Sequence, residues 1–250
     1  MFDACVDGQT RDGANMITTI VRTLNSQLHI ERFCQSYWWV DKILVADGGS
    51  KDKTIEIASR YSNVEVRPFT QWIEKNGFGR NPECKHINFL VDWALSLNPD
   101  WITFDDVDSV PTCALQTWCI DNLSHVSEDI LMVLHMYIYG TDKWFMGLTG
   151  NTMEPESGWN GLWAWRPKAN MRWRDDKSGD WDPQTTNPHL VGLTRRDLTY
   201  PYALLHYFCL NEEVVQDRIR RYKAWNIDPD PRHPTEKYGP LSSLPGWAHA

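Results

Sequence analysis

Between residues 16 and 104, short apolar segments alternate with segments of helical pattern. Residues 16–21 (MITTIV) are β-branched and read as a strand, 27–38 as a helix, and 41–45 (DKILV) as a second strand. Gly48-Gly49-Ser50 then breaks the chain. Ser50 or Asp52 caps a helix that runs to Tyr61, with Ile55 and Ala58 inward. Residues 63–66 form a third short strand. Ile87, Leu90, Val91, Ala94 and Leu95 recur at helical spacing, and Asn98-Pro99 stops that helix. Residues 101–104 (WITF) form a fourth strand that runs straight into acids. Neighbouring parallel strands need a crossover between them, and helices supply it here. The pattern therefore predicts the α/β class: a mostly parallel central sheet flanked by helices.

The second half is less regular. Residues 130–139 (ILMVLHMYIY) read as a central strand, and six tryptophans from Trp144 to Trp181 crowd a stretch rich in Gly, Pro, Asn and Asp. Residues 211–225 read as a late helix, with acids in its first turn and Arg or Lys later, an order that suits the helix dipole. Five of the 14 prolines fall after residue 228, which predicts an extended tail. The organisation expected is a polar leader (1–15), one domain (16–227, divided into halves 16–112 and 113–227) and a Pro-rich tail (228–250). At 250 residues such a domain buries a core without metal or disulfide staples.

Charge narrows the partners. With 25 Lys and Arg against 33 Asp and Glu the net charge is −8, which disfavours a broad nucleic-acid surface. A phosphate-bearing ligand would need a metal ion or a few local groups to offset its charge. The six cysteines include no C-x-x-C pair, the first 15 residues lack the apolar stretch of a secretory signal, and no apolar run is long enough to span a bilayer. Together these features predict a reducing, cytoplasmic setting.

In an open parallel sheet, ligands bind beyond the carboxyl ends of the strands. Three marked segments fall there: Arg22-Thr23-Leu24-Asn25, Asp47-Gly48-Gly49-Ser50 and Asp105-Asp106-Val107-Asp108. Asp106 and Asp108 flank one residue, and hard oxygen ligands so spaced can hold Mg2+ or Mn2+; the alternative is a solvated acidic turn. Asp47 can accept from a base or ribose, or serve as a turn residue. Gly48 permits close backbone approach. Arg80, at the start of the third helix, can reach a diphosphate or simply lie on the surface.

These residues resemble the family 2 glycosyltransferases with the GT-A fold. Ile20-Val21-Arg22-Thr23-Leu24-Asn25 resembles the family's first strand and turn, and Asp47 to Thr54 its D-G-S-x-D-x-T stretch. Gly79-Arg80-Asn81 is similar to its Arg-Asn helix start, and Trp101 to Asp108 to its strand and D-x-D. The match covers roughly residues 16–112; Ser26 departs from it, standing where the family usually has Glu. His206-Tyr207 is similar to a feature of some relatives in which a histidine approaches the metal. The resemblance implies a nucleotide-sugar donor bound by Thr23, Asn25, Asp47, Gly48, Arg80, Asp106 and Val107. It also implies Mn2+ or Mg2+ at Asp106, Asp108 and His206, and an inverting transfer to a glycan or other hydroxyl acceptor.

Such a transfer needs a carboxylate to take the acceptor proton; Asp182 and Asp180 are the first candidates, with Asp175, Asp176, Glu154 and Glu156 behind them, and the alternative for each is a solvated loop acid. Trp163 and Trp165, placed on one strand face by alternation, are candidates for stacking on an acceptor sugar; the alternative is that this face is simply buried. Two other classes compete. A nucleotidyltransferase that makes nucleotide-sugars would show a Gly-rich basic loop after the first strand, and a non-catalytic carbohydrate-binding protein would use the tryptophans without nucleotide or metal.

Overall fold

A computed structural model describes residues 15–75, 78–139, 143–146, 159–173, 192–209, 220 and 239–240. Its first half follows the expected alternation. Strand β1 (Ile17–Thr23) leads through α1 (Ile30–Ser36) to β2 (Lys42–Asp47), and α2 (Thr54–Ala58) leads to β3 (Val64–Pro68). A small hairpin, β4 (Ile73–Lys75) and β5 (Phe78–Arg80), precedes the long helix α3 (Glu83–Leu95) and β6 (Trp101–Phe104). Parallel pairing gives the order β3-β2-β1-β6. The chain winds outward from β1 to β3 and then returns to the other side of β1. The order therefore reverses between β1 and β6, where a crevice opens at the strands' carboxyl ends.

Residue pattern explains the layering. Successive β2 side chains divide between two cores: Ile43 and Val45 join Phe33, Tyr37 and Trp163 on one face, whereas Leu44 and Ala46 join Ile87, Leu90 and Val91 on the other. A strand covered on both faces needs a continuous apolar run, which DKILVA supplies. The apolar stripe of α3 is buried as expected. The α2 expectation holds only in part: Ala58 is buried, but Ile55 is 42% exposed, because the helix is one short turn that turns only one side to the core. Thr19 and Thr103, in register across β1 and β6, satisfy each other with a hydroxyl hydrogen bond of 2.7 Å.

The second half adds antiparallel strands and makes the sheet mixed. After β7 (Ser109–Pro111) and α4 (Cys113–Asn122), strand β8 (Ile130–Tyr139) pairs with β9 (Lys143–Met146) and β10 (Trp159–Trp165) in antiparallel fashion, and β10 joins β6. Strand β11 (Arg195–Cys209) runs parallel to β8, with a register shift spanning Pro201, a residue that cannot donate to the ladder. β11 also pairs antiparallel with β7, and β12 (Gly239–Pro240) with β9. Of the late helix expected over 211–225, only residue 220 lies among the described residues, and it is helical. Cys113 is disulfide-bonded, while Cys34 is a buried thiol. Among the described residues, no helix is long and apolar enough to cross a membrane.

Candidate active site

The carboxyl end of β6 delivers Asp105 to Asp108 to the crevice. β7 turns the chain back at once, and its pairing with β11 sets Ser109 opposite His206. The Tyr207 N–H donates to the Asp108 carbonyl at 2.7 Å, which locks that register. As a result the His206 Nε2 lies 3.1 Å from Asp108 Oδ1, and one ligand atom each from Asp106, Asp108 and His206 fall within 4.8 Å of one another. Residues about 100 apart in sequence thus form one cluster. Two carboxylates and an imidazole at the carboxyl end of the sheet are a donor set suited to a divalent cation such as Mn2+ or Mg2+. All three are partly exposed, so a ligand can reach them.

Arg22 completes this corner. Its guanidinium contacts Glu83 Oε1 at 2.7 Å and Asp106 Oδ1 at 3.1 Å. Burial works against its charge, but Glu83 and Asp106 outweigh that and hold its proton more tightly than usual. Asp105 points the other way, into the core, and is 4% exposed. Its Oδ2 accepts from the Tyr37 hydroxyl at 3.1 Å, and that hydroxyl accepts from Trp163 Nε1 at 3.3 Å. Burial, with repulsion from Asp106, pushes the Asp105 carboxyl up to about 8. His135 on β8 is pushed down to about 3 by burial, with His206 adding to the effect and Asp106 opposing it. The imidazole is therefore neutral beside the cluster.

The second rim segment is built differently. Asp47 is 3% exposed. One carboxylate oxygen accepts from the Gly49 and Ser50 N–H groups at 2.9 and 2.8 Å, and the other from the hydroxyls of Ser50 and of Thr23, the latter at 3.1 Å. Asp47 thus folds its own turn and ties it to β1. Asn25 staples the same two loops: its N–H donates to Ser50 Oγ at 2.8 Å and its Oδ1 accepts from the Lys51 N–H at 2.8 Å. That position has a φ of 52°, in the left-handed region that Asn tolerates. Gly48 packs so closely on Asn81 that an added Cβ would lie 1.8 Å from its Oδ1. Val107 is partly buried and leans on the core beneath.

Placement of the remaining candidates is mixed. Trp163 and Trp165 are 0% and 1% exposed, and they lie in different cores. A register shift between Leu162 and Ala164 interrupts the alternation that would have put them on one face. Neither ring is open to a sugar in this structure. Asp180, Asp182 and the side chain of Arg80 lie outside the described residues. Glu83 and His135 went unread in the sequence, and Arg22 and Asp105 were marked only as members of rim segments, with no role of their own. An arginine closing a buried strand is the one local signal among them, because its partners are set by the fold.

An open α/β sheet with an acid-and-histidine cluster at its reversal point defines a class of ligand-binding rims rather than one protein. No protein-family model matches this chain, and no curated protein matches it. Solved structures do. The mannosyltransferase PcManGT from Pyrobaculum calidifontis, in complex with GDP-Man and Mn2+, superposes with a TM-score of 0.55 at 14% identity, over 90% of this chain and 65% of that one. S. aureus TarS 1–349 in complex with UDP-GlcNAc gives 0.51 at 15%, over 80% of this chain and 60% of that one. The fold is that of the GT-A glycosyltransferases. This chain spans less than two thirds of the length of these structures.

Proposed function

We propose that the chain is a metal-assisted glycosyltransferase, moving a sugar from a nucleotide-sugar to a hydroxyl of a glycan or other acceptor, with inversion. The reading is supported above all by the meeting of Asp106, Asp108 and His206 within 4.8 Å at the reversal point of a GT-A sheet. Similarity to structures holding GDP-Man with Mn2+ and UDP-GlcNAc supports the donor class.

In this reading Asp106, Asp108 and His206 would hold Mn2+ or Mg2+, which would supply electrostatic stabilisation of charge growing on the departing diphosphate. Arg22 fixes Asp106 from one side, and the β7–β11 pairing fixes Asp108 and His206 from the other. Arg80 is assigned to the diphosphate by the family resemblance alone. Thr23, Asn25, Asp47 and Gly48 shape the nucleotide side of the rim, chiefly by holding its two loops together. Val107 spaces the two ligating acids. Asp182 or Asp180 removes the acceptor proton.

The test is release of nucleoside diphosphate from UDP-GlcNAc and GDP-Man by the full chain, with Mn2+, with Mg2+ and with EDTA. Turnover that EDTA stops and that Asp108→Ala reduces by a factor of a hundred or more is expected. Undiminished, EDTA-resistant turnover by Asp108→Ala would refute the role of the cluster.

A further inference from the structure

The β4–β5 hairpin stands beyond the carboxyl end of β3 and carries Trp72 at its entry. Six other tryptophans, at 39, 93, 101, 163, 165 and 173, are buried, yet Trp72 is 49% exposed. Its indole is nonetheless fixed in place. The ring lies against Gly79, where an added Cβ would come within 2.1 Å of Cζ2. Asn81 ties the base of the hairpin to the rim: its Nδ2 donates to the Gln71 carbonyl at 2.7 Å and lies 3.4 Å from that of Gly48. An exposed aromatic face is therefore held one residue from an anchor on the Asp47-Gly48 turn.

Two further observations say what that face would meet. The Asp47 carboxylate already accepts four hydrogen bonds from its own turn and from Thr23, which leaves it little capacity to grip a base. In the strand order β6-β1-β2-β3, β3, whose carboxyl end leads through residues 69–71 to Trp72, lies three strand spacings from β6, about 14 Å. A nucleoside diphosphate covers such a span from its phosphates to its base.

We propose that Trp72 is the platform on which the nucleobase of the donor stacks. The inference rests on the nucleotide-sugar reading above. Every base has a π face, so a Trp72 platform receives purines and pyrimidines alike, and the choice between them is made by other groups.

Calorimetric titration of the full chain in Mn2+ with UDP, GDP and methylenediphosphonate, which carries the charge without a base, tests this directly. Trp72→Ala should weaken UDP and GDP about ten-fold or more, Trp72→Phe should recover most of the loss, and methylenediphosphonate and Mn2+ should bind as before. Gly79→Ala, which keeps the indole but displaces it, should also weaken both nucleotides. If Trp72→Ala binds UDP and GDP like the wild type, or loses methylenediphosphonate equally, the platform is overturned while the donor reading stands. If the wild-type chain binds neither nucleotide, both fall.

Discussion

His86 offers a pH-dependent handle on the packing beneath the rim. It sits on α3 with its ring stacked on Phe69, centroids 4.2 Å apart, and its Nε2 lies 2.9 Å from the Ala46 carbonyl, next to Asp47. A carbonyl accepts only, so Nε2 carries the proton and donates it. Burial pulls the imidazole down to about 4; the Ala46 bond and Asp47 oppose this, and Arg22 adds to it. The unfolded chain protonates near 6.5. Above that pH both states are neutral and the shift contributes nothing. As pH falls below it, the unfolded state takes up a proton that the native ring refuses, so stability is lost, and the loss levels off below the native value. Between pH 7 and 4.5 the difference comes to about 2 kcal/mol. The assay is urea unfolding across that range for the wild type and His86→Gln, whose amide keeps a donor for the Ala46 carbonyl. Carboxylates titrate in both proteins, so their difference isolates His86. The stability advantage of wild type should shrink by about 2 kcal/mol from pH 7 to 4.5. Parallel curves would refute a buried, neutral His86.

Two substitutions probe the core under the cluster. Tyr37→Phe removes the hydroxyl that serves both Asp105 and Trp163, leaving buried polar groups short of a partner; chemical denaturation should show a loss of roughly 1–3 kcal/mol. Trp163→Ala should cost about 3–5 kcal/mol in the same measurement, the value for emptying a large core site, whereas an acceptor-stacking residue would change KM with little effect on stability.

Much of the donor half was legible because its signals are local. The α3 stripe needs only the 3.6-residue period, and the β2 run needs only unbroken apolarity, so both elements formed where read. Asp106 and Asp108 could be marked because strand β6 ends on them. What escaped depends on pairing between distant segments. His206 was legible only through the family resemblance, because the register of β7 on β11 is what brings it to Asp108 and nothing near either residue encodes that offset. Trp163 and Trp165 were misassigned to one face because the shift in register arises where β10 meets β8, not in the sequence of β10 alone. Asp47 could be read either as a ligand-facing acid or as a turn residue, and the turn role is the one visible here, since the N–H groups of the glycine and serine after it hold its carboxylate. The disulfide at Cys113 also escaped, since a scattered set of cysteines does not reveal pairing.

The most direct measurement is a Mn2+ titration of the full chain and of Asp108→Asn, followed by electron paramagnetic resonance of the free ion. One bound Mn2+ per wild-type chain, with affinity at least ten-fold weaker in Asp108→Asn at unchanged fold stability, is the result predicted if the cluster at the β6 terminus is a cation site. Equal affinity in the two proteins, or none in either, would contradict it.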